Sequence, residues 1–272
     1  MTTLEQYPIV NLDGYNRSMS LSLADKLFFM SCLDSSVKLI FDYGCADGAL
    51  IHFLAEKYPD IHFWGYDKNK EMIMKARQGI KSNNEHFTFD QKDYDQWCDS
   101  HPEITWRTNL ALNMSSVIHE IYSYSRNVIP IYEFWEDVTS GSYKYVCIRD
   151  MCIDPSAHRP AWKEDVLKIR RNFPTDKLQQ FESISGSIDN QYSLIHFLLK
   201  YRYIDNWERE VHENYSPLTP EQITSHFDPK KYELIYYEHY TLPYLVTRVK
   251  NDFDITLTDP THIKLIYRRK DR

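Results

Sequence analysis

Glycine is scarce in this sequence, with 7 in 272 residues, so a place where two of them meet stands out. Cysteine is scarcer still and odd in number: Cys32, Cys45, Cys98, Cys147 and Cys152, with no C-x-x-C pair. A disulfide framework and a structural zinc site are therefore disfavoured, and reduced thiols in a cytoplasmic protein are expected. No apolar run reaches the roughly 18 residues of a membrane span. The opening MTTLEQYPIVNLDGYNR lacks an apolar core flanked by basic residues, so no secretory leader is expected. Basic residues are not in excess either. The 32 Lys and Arg face 39 Asp and Glu, for a net charge of −7, which disfavours a large nucleic-acid footprint but not a local basic patch. There is no internal repeat and no low-complexity tract.

What is present is a globular composition, 42% hydrophobic and 15% aromatic, long enough to bury a substantial core as one large domain or a domain with an inserted cap. Tyrosine is abundant, with 21 residues, suited to half-buried packing and to lining a pocket for a planar or polar ligand.

The chain is organised around residues 38–67, KLIFDYGCADGALIHFLAEKYPDIHFWGYD. An apolar run (Leu39, Ile40, Phe41) ends at Asp42, Tyr43 and Gly44; Leu50, Phe53, Leu54 and Tyr58 then recur at helical spacing; a second apolar run, 61–66, ends at Asp67. The spacing predicts strand, turn, helix, strand and acid, a βαβ unit with a nucleotide-sized gap at the strand tips. Two of the seven glycines, Gly44 and Gly48, fall in this single turn, where positive φ and a bare backbone let a ligand approach. The following helix offers unpaired N–H groups, and Asp67 can accept both hydroxyls of a ribose. The turn reads GCADG, without the G-x-G-x-x-G of a dinucleotide site and without the G-K-[ST] of a phosphate loop. A nucleoside without phosphates suits it better.

DYGCADG followed by the acid of GYD resembles the first two motifs of class I S-adenosylmethionine-dependent methyltransferases, with Cys45-Ala46-Asp47 in place of the usual middle glycine. The resemblance covers residues 37–151 and, more weakly, 217–272. It implies an α/β, Rossmann-like fold: a seven-stranded, mostly parallel sheet flanked by helices, its last strand antiparallel. It also implies S-adenosyl-L-methionine as cofactor. Another Rossmann-like nucleoside binder is the alternative.

Along the chain, residues 1–36 form a helical lead-in, with Leu21, Asp25, Phe28 and Phe29 suggesting a helix before the first strand. In the family such a segment folds over the cofactor, and Tyr15 and Arg17 are the candidates to hold its methionine end; an exposed turn is the other reading. Within the core, 37–151, a helix is expected over 69–80 with Met72, Ile73, Ala76 and Ile80 on one face, then a short strand over 86–89. The resemblance implies that Asp42, Gly44, Cys45, Ala46, Gly48, Asp67 and Lys68 contact the cofactor. It implies as well that Asp93 accepts from the adenine amino group with Tyr94 on the ring; Asp90 competes for that role.

A fourth strand, 109–114, runs into Ser115, Ser116, His119 and Glu120, where ligands of open α/β sheets bind at the carboxyl ends of strands. Ser115 is assigned to the cofactor and His119, then Glu120, to catalysis; a purely structural histidine is the alternative. The chain has no [DNS]-P-P-[YFW] and no Pro-Cys after this strand, which makes the usual amino-methylating DNA enzymes and the RNA cytosine-5 type poor matches. A fifth strand, 143–149, ends in Arg149-Asp150, which either binds an anionic substrate group or serves a local structural role; neighbouring strand residues point to opposite faces.

Residues 152–217 read as a helical insertion. They comprise a basic helical segment over 162–171 (Lys163, Lys168, Arg170, Arg171), a break at Phe173-Pro174, an amphipathic helix through Ile188, Tyr192, Ile195 and Leu199, and the run KYRYIDNWEREVHENY. It is expected to act as a lid over the substrate, or else as a packing or dimerisation subdomain. In 218–272, Thr219-Pro220-Glu221-Gln222 forms a capping box that starts a helix, strands follow over 232–241 and 262–267, and 242–260 is a long connector. The expected activity is methyl transfer to a small-molecule acceptor. The alternatives are an RNA or nucleotide acceptor contacted by the basic insertion, and a non-catalytic nucleoside-binding module.

Overall fold

The computed structural model describes residues 9–11, 23–101, 109–125, 127–141 and 143–270; the side chains of Gln91 and Tyr94 lie outside that description. Seven strands form one sheet: β1 (Leu39–Tyr43), β2 (His62–Tyr66), β3 (Glu85–Thr88), β4 (Leu110–Ser115), β5 (Tyr145–Met151), β6 (Tyr232–Tyr240) and β7 (His262–Arg269). Their order is β3-β2-β1-β4-β5-β7-β6. The first five are parallel, and β7 inserts antiparallel between β5 and β6. Strands β4 and β5 are buried almost end to end, because helices cover both faces, so they read as continuous apolar runs rather than alternating ones. Successive residues supply opposite layers: Ile40 and Ala111 join one core, Phe41 and Leu112 the other.

The helices are α1 (Leu23–Lys26), α2 (Ala49–Lys57), α3 (Lys70–Gln78), α4 (Gln91–Asp99), α5 (Ile118–Tyr124), α6 (Val128–Ser140), α7 (Lys163–Asn172), α8 (Thr175–Ser185), α9 (Gln191–Lys200), α10 (Trp207–Glu210), α11 (Pro220–Ser225) and α12 (Pro243–Phe253). The start of α3 is set by Asn69, whose side chain accepts from the N–H groups of Glu71 and Met72. The capping box of Thr219 and Gln222 opens α11 as its sequence predicts.

Three expectations are corrected. Helix α3 ends at Gln78, and Ile80 lies beyond it, 42% exposed, rather than on its buried face. Helix α9 is not amphipathic: every residue but Tyr192 is buried, His196 and Lys200 included. The stretch 242–260 is not a plain connector, since Pro243 opens α12 and buries Leu245, Val249 and Phe253. Those three side chains join Val166 and Ile169 of α7, Leu178 and Phe181 of α8, and Leu194 and Phe197 of α9 in a third core, separate from the two that sandwich the sheet. An apolar stripe at i, i+4 and i+8 has no reason to fold alone; it becomes a helix because the insertion supplies a surface to cover it.

Phe253 packs edge-on against Tyr201 at 4.9 Å between ring centroids. Phe253→Ala is expected to cost about 3–5 kcal/mol in urea-melt stability; a change below about 0.5 kcal/mol would mean that α12 is a surface segment.

Candidate active site

The turn after β1 is held by hydrogen bonds to the tip of β2. The N–H groups of Gly44 and Cys45 donate to the Tyr66 carbonyl, at 2.7 and 3.0 Å, and the N–H of Ala46 donates to Asp67 Oδ2 at 3.0 Å. The other oxygen of Asp67 accepts from Asn69 N–H at 2.8 Å. Gly44, Ala46 and Gly48 have φ of 79°, 49° and 76°. An alanine in the left-handed region costs about 1–2 kcal/mol, and the Asp67 bond holds it there. Asp67 is thus more than a strand-tip acid for a ribose, since it also fixes the turn. Gly44 is required for space as well: a Cβ there would lie 2.3 Å from Val117 Cγ2.

Against this turn lies a cleft of about 440 Å³ that brings together five of the expected cofactor contacts, Asp42, Gly44, Cys45, Ala46 and Ser115, with Leu23 and Lys26 of α1. Asp42 accepts from Asn113 Nδ2 of the neighbouring β4 at 2.7 Å. Burial pushes its carboxyl up to about 6, and burial likewise pushes Asp67 up to about 6. Burial, with Arg149 nearby, brings Lys26 down to about 8. Ser115 Oγ is buried and without a hydrogen-bond partner among the described residues. Cys45 is a buried thiol kept protonated by its burial.

The remaining expected contacts are placed differently. Gly48 is the left-handed N-cap of α2. Lys68 is half-buried beside Asp67, and burial lowers its pKa. Asp90 caps α4 by accepting from Lys92 N–H, while Asp93 sits in the first turn of that helix and accepts from Thr88 Oγ1 at 3.0 Å. Tyr15 and Arg17 lie outside the described residues, as does the Tyr94 side chain. Lys26, which lines the cleft, was not singled out from the sequence. Its only local signal is a position on a short helix before β1.

A second cavity, of about 590 Å³, begins one residue further along: Ser115 borders the first and Ser116 the second. His119, Arg149, Met151, Leu199, Arg202, Glu213, Tyr215 and His262 are among its walls. Asp150, at the end of β5, accepts from the N–H groups of Val117 and Ile118 at 2.9 and 2.7 Å and bonds His119 Nδ1 at 2.8 Å. It is therefore the N-terminal cap of α5 and the orienting partner of His119 at once. His119 Nε2 lies 3.8 Å from Glu213 Oε2, and its ring meets Tyr215 edge-on at 5.2 Å. Burial opposes its charge, but Asp150, then Glu213 and Glu120, outweigh burial and raise its pKa.

Glu120 faces elsewhere: it pairs with Arg209 at 3.3 Å and is not among the cavity's walls. Arg149 and Asp150 do not pair with each other. Arg149 bonds Asp25 of α1 at 2.5 Å and Ser116 Oγ at 3.0 Å. Glu213, Tyr215 and Arg202 were not singled out from the sequence, where they lie in one charged, aromatic run whose buried members only the tertiary packing selects. Of the basic segment, Lys168 pairs with Asp254 and Arg170 with Glu182, which uses up part of the charge a phosphate backbone would need.

Residues 34–121 match the family described as "Methyltransferase domain", and that match spans the turn, Asp67, β4 and His119. That match covers 88 of the 272 residues, and the strand order fits the fold that the class I S-adenosylmethionine-dependent methyltransferase resemblance implies. S-adenosyl-L-methionine is the cofactor that this resemblance implies. Over 89% of its length and 96% of the other's, the chain is similar to an S-adenosylmethionine-dependent methyltransferase from Mesorhizobium loti (12% identity, TM-score 0.50). Over 99% and 94%, it is similar to the plantazolicin methyltransferase BamL in complex with triazolic desmethylPZN analog and SAH (13% identity, TM-score 0.50). At these identities the likeness is one of fold. Among curated proteins, none matches this methyltransferase. No helix among the described residues is long and apolar enough to cross a membrane.

The first cleft suits the cofactor on its own chemistry. It offers a buried Ser115 hydroxyl with no hydrogen-bond partner among the described residues, one cation in Lys26 and two acids in Asp42 and Asp47, a donor and acceptor set for an amino-acid end. With Asp67 and Asp42 both near 6, their acceptor strength falls as pH drops through that value. S-adenosylhomocysteine is expected to bind about tenfold more weakly at about pH 5 than at about pH 7.5 by calorimetry. Equal affinity would mean that neither acid contacts the ligand.

Proposed function

We propose that this enzyme methylates a small molecule held in the second cavity, beneath the helical layer formed by residues 154–215 and α12. The observation that carries the reading is that consecutive residues at the end of β4 line the two cavities, Ser115 the first and Ser116 the second, with His119 of the His119–Asp150 pair lining the second. When bound, S-adenosyl-L-methionine supplies an electrophilic methyl group on its sulfonium. The protein's part is to orient the acceptor, exclude water and take up the acceptor's proton where it has one.

Asp150 holds the Nδ1–H of neutral His119, which leaves the Nε2 lone pair to accept a proton from an acceptor hydroxyl or ammonium. Glu213 stands beside that nitrogen and stabilises the imidazolium once it forms. The helical layer contributes the buried apolar side chains Leu199, Leu242 and Leu245 to the cavity wall. The acids that raise the His119 pKa are Asp150 and Glu213 beside the ring and, without contacting it, Glu120, with neutral His196 and His262 nearby. Because the three acids stabilise the imidazolium, the neutral base is populated only above the ordinary histidine range. Turnover is expected to rise with pH through the raised His119 pKa.

The test is transfer of label from methyl-labelled S-adenosyl-L-methionine to a low-molecular-weight fraction of cell extract. His119→Gln is expected to lower that turnover by about 10²–10⁴-fold while S-adenosylhomocysteine affinity stays within about twofold. Label appearing in RNA or protein instead would contradict the small-molecule reading. A His119→Gln variant of normal rate would leave His119 a purely structural group.

A further inference from the structure

Three arginines stand in or against the second cavity, and two of them are matched by acids. Arg149 bonds Asp25, and Arg209 pairs with Glu213 at 3.0 Å and Glu120 at 3.3 Å. Arg202 differs. It follows the end of α9, lines the cavity, and among the described residues makes no ion pair. Its guanidinium lies over the rings of Tyr203 and Tyr244, at 4.6 and 5.5 Å, and donates to the Tyr203 hydroxyl at 2.5 Å. Its Nε is buried without a hydrogen-bond acceptor among the described residues. The acid in its surroundings is Glu210, which burial pushes strongly toward the neutral form and whose Oε2 accepts the Tyr215 hydroxyl.

A guanidinium is never deprotonated in a protein, so this charge is buried as a charge. Burying it without a counter-ion opposes folding, and the opposition is relieved when an anion arrives from outside. Apolar and aromatic side chains share this lining with Arg202, among them Leu199, Leu242, Leu245, Tyr203 and Tyr215. One planar fork in such a setting matches a singly charged carboxylate, whereas a phosphate dianion calls for more donors than this wall offers.

We propose that Arg202 is the anion anchor of the acceptor cavity, and that the acceptor is a small carboxylic acid with an apolar or aromatic body. This rests on the reading of the second cavity as the acceptor site. It assigns specificity to the helical insertion, in which Arg202 follows the end of α9, with His119 among the walls of the same cavity.

The experiment is a binding screen of aromatic and medium-chain aliphatic carboxylic acids, each beside its own primary amide, in the presence of saturating S-adenosylhomocysteine. Thermal melts find the binders and calorimetry ranks them, for the wild type, Arg202→Met and Arg202→Lys. The expected result is at least one acid binding about tenfold or more tighter than its amide to the wild type. That preference vanishes in Arg202→Met and is partly kept in Arg202→Lys, with S-adenosylhomocysteine affinity unchanged in both. Without ligand, Arg202→Met is expected to melt at or above the wild-type temperature, because a lone buried charge has gone.

Amides binding as well as acids throughout the screen would overturn the proposal, as would an acid preference that survives in Arg202→Met. A fall in melting temperature in Arg202→Met, with no acid preference in Arg202→Lys, would make Arg202 part of the frame and overturn it too. Failure of the wild type to bind S-adenosylhomocysteine would instead remove the reading on which it rests.

Discussion

One buried carboxylate ties the two halves of this site together. Asp150 ends β5, is 2% exposed, and meets the first N–H groups of α5 as well as the ring of His119. Burial would raise its pKa, but His119 and the backbone donors more than offset burial and keep it ionised. A helix start buried without such a partner would leave several donors unsatisfied. Its consequences run further than its contacts. By fixing the start of α5 it sets Val117 against Gly44, so the position of the acceptor-side helix and the shape of the cofactor turn are one constraint. That is also why a side chain at Gly44 is excluded twice over, by the positive φ and by Val117.

A second layer of structure depends on buried polar groups in the insertion. Lys200 is fully buried yet donates to the carbonyls of Glu210 and Glu213, and His196 Nε2 accepts from Tyr215 N–H at 3.1 Å. These bonds pull the segment that carries Glu213 and Tyr215 against α9, which presents both residues to the cavity below. Polar satisfaction here is what allows a helix of mixed composition to be buried all round. The same packing leaves Arg202 as a charge whose neighbours are rings rather than acids.

How far the sequence was readable follows from the range of each interaction. The βαβ unit, the capping box and the closing strands rest on local spacing, and the structure has them where that spacing puts them. Asp67 was readable as the acid of the second strand, but its bond to Ala46 N–H joins residues 21 apart and is invisible to periodicity. Helix α9 looked amphipathic because the partners that bury Lys200 and His196 arrive from residues 210–215. Helix α12 was missed for the same reason, since its stripe is apolar only toward the insertion. Glu213 and Arg202 sat in a run that was plainly charged and aromatic. Which of its charges would face a cavity is decided by packing among α9, α10 and β5 rather than by any motif.

The central claim is that one ligand-binding turn and one acceptor cavity share the tip of β4. A crystal structure of the protein with S-adenosylhomocysteine tests it most directly. The account predicts the ribose at Asp67, the amino-acid end between Lys26, Asp42 and Ser115, and the sulfur directed past Ser116 toward His119. A ligand bound with its sulfur turned away from the second cavity, or seated outside the Gly44–Gly48 turn altogether, would contradict it.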